Sequence, residues 1–396
     1  MVVGFFELRL SGILRFPLWL YPGLTANCSD LTVVYFYEHA DCDIDEVNSR
    51  LPGNASIVKV TDINKKAVLE LLSRHHLDRL VVMAQRIPDS CLVVAAKSLF
   101  IPTTMYQHGL YVPFMKRQGS LFVANIFKTW RFIQYAMTTA DIIRTSRCIL
   151  LLKYIRTFVL GHPLADINFP MSRVNTDSVL VYGGYWKDYH RVHFGYQPNQ
   201  QFIVGAPDFS DVSQLLAKQT IGNSVCYIAQ TLVEDGRLPR GAMLTFISNL
   251  AKAVTESGLQ LKVRLHPRSD LSLYQSLPAD SVLSKTDFPK STAYVGHYSS
   301  ILAKSTFMSN HIILVDFPDH EIPDYIAMLA DKRINYDDHL GLLDGLKSAI
   351  RNGVDLEAVA TNIEKQDFYF DSSISNPLEV AALRILKQPH KEEVCC

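Results

Sequence analysis

Three short motifs in residues 224–319 combine carboxylate, amide, basic and hydroxyl side chains at the ends of apolar runs. The residues capable of chemistry are Gln230, Glu234, Asp235, Arg264, His266, Arg268, Ser299 and Ser300. Carboxylates serve enzymes as nucleophiles or proton acceptors, whereas arginine, histidine and serine side chains bind phosphate oxygens. The set therefore indicates a catalytic site for a substrate that carries phosphate.

The run LKVRLHPRSD places His266 at the predicted end of a strand, because Pro267 cannot continue a hydrogen-bonded ladder. Arg264 and Arg268 lie two residues to either side of it. Together they favour an anionic ligand, with His266 donating to a phosphate or ribose oxygen. A histidine that only caps the next helix is the alternative.

Ser299 and Ser300 follow the apolar run AYVG and a Gly-His-Tyr turn, where a helix is expected to begin. A helix N-terminus exposes free N–H groups and a partial positive charge, which suit phosphate. An ordinary serine N-cap is the alternative. Two adjacent serines that follow His266 in the same sheet favour a nucleotide phosphate.

Glu234 and Asp235 end the first motif, and Gly236 after them permits a tight turn. A solvated Asp-Gly turn is one interpretation. The other is a catalytic carboxylate, since a strand end is where a nucleophile or base would lie. His108, in a Gln-His-Gly run, occupies the matching position in the first half of the chain, where a structural histidine is the alternative.

Strands that alternate with helices are expected to position these residues. Strands are predicted at 31–37, 79–84, 102–107, 177–182 and 201–204 in the first half, and each of the three motifs contains a predicted strand in the second. This pattern is typical of α/β domains with parallel sheets, which bind ligands beyond the carboxyl ends of their strands. Gly, Pro, Asp and Ser cluster at 205–211, so we expect domains at 1–215 and 216–396, the second including the C-terminal helices.

The composition is that of a globular protein. The chain has 396 residues, 48% of them hydrophobic, and a formal net charge of zero, which argues against a disordered or nucleic-acid-binding protein. No zinc-type cysteine spacing, Walker loop or dinucleotide loop occurs. We expect no metal, no transmembrane helix and a cytoplasmic location.

One segment departs from this charge balance. Residues 111–160 contain one acid, Asp141, and interleave aromatic residues with eight cations: Lys116, Arg117, Lys128, Arg131, Arg144, Arg147, Lys153 and Arg156. Such a composition suits peripheral contact with an anionic membrane, here the inner membrane. A solvated basic face over an ordinary core is the alternative.

The order of these motifs resembles GT-B glycosyltransferases that use a CMP- or CDP-activated donor. The Gln…Glu-Asp run some thirty residues before His-Pro is similar to that of the retaining β-Kdo transferases of bacterial capsule and lipopolysaccharide assembly. Bacterial sialyltransferases share acidic-Asp-Gly, His-Pro and Ser-Ser motifs, but their acidic motif belongs to the first domain. CDP-glycerol phosphotransferases share His-Gly, His-Pro and Asp-Tyr-Ser-Ser, whereas this chain has Gly-His-Tyr-Ser-Ser.

The resemblance implies two Rossmann-like domains facing a cleft, with CMP-Kdo as donor, a saccharide or lipid-linked saccharide as acceptor, and no cofactor. It implies a nucleophilic role for Asp235, while position alone suggests Glu234 and His108 for proton transfer. The residues expected to bind the donor are Gln230, Arg264, His266, Arg268, Ser299 and Ser300. A sialyltransferase, a CDP-polyol phosphotransferase and a non-catalytic partner protein are the alternatives.

Overall fold

A computed structural model describes residues 1–14, 16–107, 109, 122–150, 152, 171–207, 223–266, 268–285, 288–318, 320 and 322–387. The side chains of residues 16, 122–129, 171–172 and 300 lie outside this description. The described residues form two compact units. Unit 1 contains those up to 207 together with 373–387, and unit 2 contains those from 223 to 372.

Unit 1 is built on seven parallel strands in the order β3-β2-β1-β4-β5-β6-β7. The strands are β1 (Val2–Arg9), β2 (Thr32–His39), β3 (Ala55–Lys59), β4 (Arg79–Val82), β5 (Thr103–Tyr106), β6 (Ser178–Val181) and β7 (Gln201–Ile203). The central strands are buried on both faces, which explains their continuous Val, Phe and Tyr runs.

The helices of unit 1 cover this sheet. They are α1 (Leu10–Ile13), α2 (Phe16–Asn27), α3 (Ile44–Arg50), α4 (Lys65–Arg74), α5 (Ile87–Ser98), α6 (Phe122–Ile142), α7 (Met171–Val174), α8 (Gly184–Phe194) and the C-terminal α14 (Pro377–Leu386). Helix α4 shows how the sequence sets a boundary, since the Asn64 side chain accepts a hydrogen bond from the Ala67 N–H at the helix start.

Helix α14 packs against α2 and so joins unit 1. Gly23 makes the close approach possible, because a Cβ at this position would lie 3.0 Å from the Cβ of Ala382. Arg384 also stacks over the ring of Phe202, 4.7 Å from its centroid. The predicted second domain, 216–396, differs here from the observed units, and its predicted start lies outside the described residues.

Unit 2 has six parallel strands in the order β10-β9-β8-β11-β12-β13. The strands are β8 (Ser224–Ile228), β9 (Gln260–Arg264), β10 (Val282–Ser284), β11 (Ala293–Gly296), β12 (His311–Asp316) and β13 (Lys332–Asn335). The helices are α9 (Arg240–Ser257), α10 (Ser300–Ser305), α11 (Asp324–Ala327), α12 (His339–Asn352) and α13 (Leu356–Phe370).

Each sheet starts in its middle and grows first to one side and then to the other. The direction reverses between β1 and β4 in unit 1 and between β8 and β11 in unit 2. In doubly wound sheets, ligands bind outside the carboxyl ends of the strands at such a reversal. The predicted α/β class with two Rossmann-like, parallel-sheet domains is confirmed.

Candidate functional site

The reversal between β8 and β11 brings the first and third sequence motifs together. Gln230 follows β8, and Tyr298 follows β11. The Oε1 atom of Gln230 accepts the backbone N–H of Tyr298 at 3.1 Å. The predicted donor-site residue Gln230 therefore links the two strand ends at the reversal.

A tight turn after β8 presents Asp235. The Asp235 N–H donates to the Thr231 carbonyl at 3.0 Å, and the Arg237 N–H donates to the Leu232 carbonyl at 2.8 Å. Gly236 closes the turn with a φ of 65°, a region that disfavours residues with a Cβ. This glycine is therefore the residue that lets the chain turn directly after the carboxylate.

Arg268 holds both oxygens of Asp235. Its Nη1 lies 2.8 Å from Oδ1 and its Nη2 lies 3.4 Å from Oδ2, while the Thr231 hydroxyl donates to Oδ2 at 3.0 Å. Burial raises the pKa of Asp235, but the Arg268 and Thr231 hydrogen bonds and the nearby positive charges outweigh it and leave the pKa below its ordinary value. Asp235 is thus an ionised carboxylate held by a half-exposed arginine.

Glu234 turns away from this pair and anchors the segment after β9. Its Oε1 accepts the Asp270 backbone N–H at 2.7 Å. Its buried Oε2 has no hydrogen-bond donor among the residues that the structure describes. The contact with Asp270 gives Glu234 a structural role.

His266 directly follows Leu265 at the end of β9, as predicted. Its backbone N–H donates to the Ser269 hydroxyl at 3.0 Å, and its Nδ1 accepts the Arg268 backbone N–H at 3.2 Å. In the neutral imidazole the proton therefore sits on Nε2. Arg264 is half-buried on β9 beside Ile228, and Pro267 lies outside the described residues.

Ser299 is the N-cap of α10. Its Oγ accepts the Ile301 N–H at 3.2 Å, which is the ordinary capping contact considered as the alternative above. The hydroxyl proton is not used in that contact and remains a possible donor to a ligand. Ser300 begins the helix, but its side chain is outside the description.

His297 was not among the predicted site residues, although it lies directly after β11 at the reversal. Its ring is 4% exposed and packs beside Tyr298, Phe317 and His320. Nδ1 donates to the Val315 carbonyl at 2.6 Å, and Nε2 has no hydrogen-bond partner in the described parts of the chain. Burial lowers the pKa of His297 to about 4, so the ring is neutral at pH 7.

Other predicted features are only partly described. His108 lies outside the described residues, so its proposed role stays a prediction. Of the eight cations in residues 111–160, the described Arg131 and Arg147 form ion pairs with Glu38 and Asp141. The described residues contain no cluster of metal-binding side chains and no helix long and apolar enough to span a membrane.

No protein-family model matches the chain, and no curated protein matches it either. Several solved structures are similar to this chain. UDP-GlcNAc 2-epimerase from Neisseria meningitidis, bound to UDP-GlcNAc, is 11% identical over 98% of this chain and 100% of that chain, with a TM-score of 0.55. The wall teichoic acid polymerase TagF, soaked with CDPG, is 13% identical over 98% and 88% of the two chains, with a TM-score of 0.54.

The glycotransferase of kitacinnamycin is 13% identical, covers 98% and 99% of the two chains and has a TM-score of 0.53. These structural neighbours are GT-B proteins, and this chain has the GT-B fold. Their names cover different reactions. The likeness therefore establishes the fold and leaves the reaction to be argued from the site.

Proposed function

We propose that the protein is a glycosyltransferase that transfers Kdo from CMP-Kdo to a saccharide in the assembly of a bacterial surface polysaccharide. One observation carries the proposal: Gln230 links the ends of β8 and β11, and Asp235 pairs with Arg268 on the turns after β8 and β9, at the reversal where a doubly wound sheet binds nucleotides. The motif order that resembles β-Kdo transferases supplies the identity of the donor.

In this proposal the nucleotide lies across the strand ends of unit 2. His266 donates through Nε2 to a phosphate or ribose oxygen, and the Ser299 hydroxyl donates to the phosphate while it caps α10. Arg264 adds positive charge from β9, and the Ser300 hydroxyl is assigned by position. CMP leaves with its own phosphate charge, so the proposal requires no metal.

Asp235 becomes a nucleophile only after Arg268 moves, because Arg268 and Thr231 engage both carboxylate oxygens. Kdo carries a carboxylate of its own, beside the anomeric carbon. We propose that the donor carboxylate replaces Asp235 as the partner of Arg268 and thereby frees Asp235 to attack. Two carboxylates competing for one guanidinium would couple donor binding to activation of the nucleophile.

The chemistry is a double displacement with retention. A carboxylate oxygen of Asp235 forms a bond to the anomeric carbon while the bond to the CMP phosphate oxygen breaks, and CMP departs with the electron pair. The acceptor hydroxyl oxygen then attacks the same carbon, the ester bond to Asp235 breaks, and the hydroxyl proton passes to Glu234 or His108.

Release of free CMP from a panel of donors tests the proposal. We expect release from CMP-Kdo, and we expect the wild-type protein incubated with donor alone to gain one ulosonic acid residue on a peptide spanning residues 231–237. Asp235→Asn should abolish transfer and leave CMP binding nearly intact. Near-normal turnover by Asp235→Asn would refute the nucleophile, and an inverted product would favour a general base and CMP-sialic acid as donor.

A CDP-polyol phosphotransferase is the second candidate, and the likeness to TagF soaked with CDPG favours it. Such an enzyme transfers the polyol-phosphate unit to the acceptor hydroxyl oxygen while the bond to CMP breaks, with His108 as the base that takes the hydroxyl proton. The same donor panel separates the two. CMP release from CDP-glycerol, with none from CMP-Kdo, would select the phosphotransferase.

A further inference from the structure

Unit 1 contains a polar pocket whose residues have no assigned part in the reaction steps proposed above. Its volume is about 300 Å³, and it is lined by Glu38, His39, Lys59, Thr61 and Arg131. Glu38 and His39 end β2, Lys59 ends the neighbouring β3, and Arg131 reaches across from α6. The pocket therefore lies at the carboxyl end of the sheet, on the side away from the β1–β4 reversal.

Arg131 is fixed in place on one side of the pocket. Its Nε donates to Glu38 Oε1 at 2.8 Å, its Nη1 to the Thr61 carbonyl at 2.8 Å, and its Nη2 to the Val60 carbonyl at 3.0 Å. Glu38 is only 3% exposed. A guanidinium has five N–H donors, so these three bonds hold the group rigidly and leave N–H groups for a ligand.

The pocket carries an excess of positive charge. Glu38 is its one acid among the described lining residues, and Arg131 already neutralises it. Lys59 is exposed and forms no ion pair within the described chain, and His39 is partly exposed beside it. Burial and the charge of Glu38 raise the pKa of the nearby Tyr135 hydroxyl above its ordinary range, so that group stays neutral. The charge offered to a ligand is therefore cationic.

We propose that this pocket binds a saccharide unit that carries a carboxylate or a phosphate. Lys59 and the remaining N–H groups of Arg131 meet the anionic group, and Thr61 and His39 offer hydrogen bonds to sugar hydroxyls. A volume of about 300 Å³ exceeds what a free phosphate fills and suits one sugar ring. As a site for the acceptor glycan the inference rests on the proposed transfer reaction, whereas binding itself does not.

Titration calorimetry on the full chain, without donor, tests it with four probes: glucuronate, glucose 6-phosphate, neutral glucose and inorganic phosphate. We expect at least one of the two anionic sugars to bind about tenfold more tightly than glucose and inorganic phosphate. The anionic sugar that binds more tightly shows whether the pocket recognises a carboxylate or a phosphate. Binding of inorganic phosphate alone, or of no probe, overturns the inference.

Lys59→Ala removes a pocket cation at an exposed position where the fold is not at risk, and Lys66→Ala removes an exposed cation on α4 outside the pocket. Lys59→Ala should lower the affinity for the anionic sugar about fivefold to tenfold and leave the affinity for CMP unchanged. Lys66→Ala should change neither affinity. Equal affinity of Lys59→Ala and Lys66→Ala for the anionic sugar overturns the inference that it binds in this pocket. If the wild-type protein binds the anionic sugar but does not bind CMP, the result rejects the proposed function and leaves the inference about this pocket intact.

Discussion

Acid should destabilise the protein through His297, a residue kept neutral by its surroundings. The folded state lowers the pKa of His297 to about 4, whereas a histidine in an unfolded chain titrates near 6.5. Above pH 6.5 the ring is neutral in both states, so pH has no effect through it. Between pH 6.5 and 4 the unfolded chain binds a proton that the folded chain excludes, so stability falls as the pH falls.

The magnitude follows from these two pKa values. Between pH 7.5 and pH 5 the unfolded state gains about 2 kcal/mol from protonating this one ring, and the folded state gains almost nothing. In the variant His297→Gln the side chain remains polar and similar in size, but it does not titrate. The variant should therefore lose about 2 kcal/mol less stability over this pH interval than the wild type does.

Urea unfolding of both proteins at pH 7.5 and pH 5 measures the difference. Titrating groups that do not interact with His297, including the buried His190, whose pKa burial lowers to about 3, contribute equally to both proteins and cancel. His193→Gln, which removes an exposed histidine, should keep the pH dependence of the wild type. The same pH dependence in His297→Gln as in the wild type would refute the buried, neutral state of His297.

Three further predictions concern donor recognition, packing and membrane contact. Arg268→Ala should lower the affinity for CMP-Kdo about tenfold and leave the affinity for CMP unchanged, because only the ulosonic acid offers a carboxylate to Arg268. Equal losses of affinity for both ligands in calorimetry would contradict this. Gly12→Ala would push a Cβ into the Cγ of Glu7 and should lower the melting temperature by several degrees, whereas Gly53→Ala, with open space around it, should not. If the basic residues 111–160 contact membranes, co-sedimentation should favour anionic over neutral vesicles and fall with salt, and equal recovery would end the idea.

The sequence predicts β2, β4 to β9 and β11, but it misses β1 at the centre of the unit 1 sheet and also β3, β10, β12 and β13. Strands β2, β4 and β8 each contain an uninterrupted run of apolar residues, because both faces of a parallel sheet are buried. Strand β1 was not predicted, since Glu7 and Arg9 interrupt its apolar run. Glu7 is nevertheless 4% exposed, because Arg86 pairs with it at 3.1 Å. A charge neutralised from a distant part of the chain leaves no local signal.

In the candidate site, too, the sequence predicts features set by neighbouring residues but not contacts between distant parts of the chain. Strand ends are local features, so the positions of Asp235 and His266 follow from apolar runs that stop at turn residues. The Asp235–Arg268 pair depends on two turns after neighbouring strands and is set by tertiary structure. His297 is buried and neutral because it packs against Phe317 and His320, which follow β12 in the sequence. The local sequence, a histidine after a glycine, does not predict this burial.

Calorimetric titration with CMP tests the central claim, that the strand ends of unit 2 bind a cytidine nucleotide. The wild-type chain should bind CMP saturably. His266→Ala and the double variant Ser299→Ala with Ser300→Ala should each weaken binding by about 1.5–3 kcal/mol, the value of a charge-assisted hydrogen bond. Unchanged CMP affinity in both folded variants, or no saturable binding to the wild type, would contradict the account.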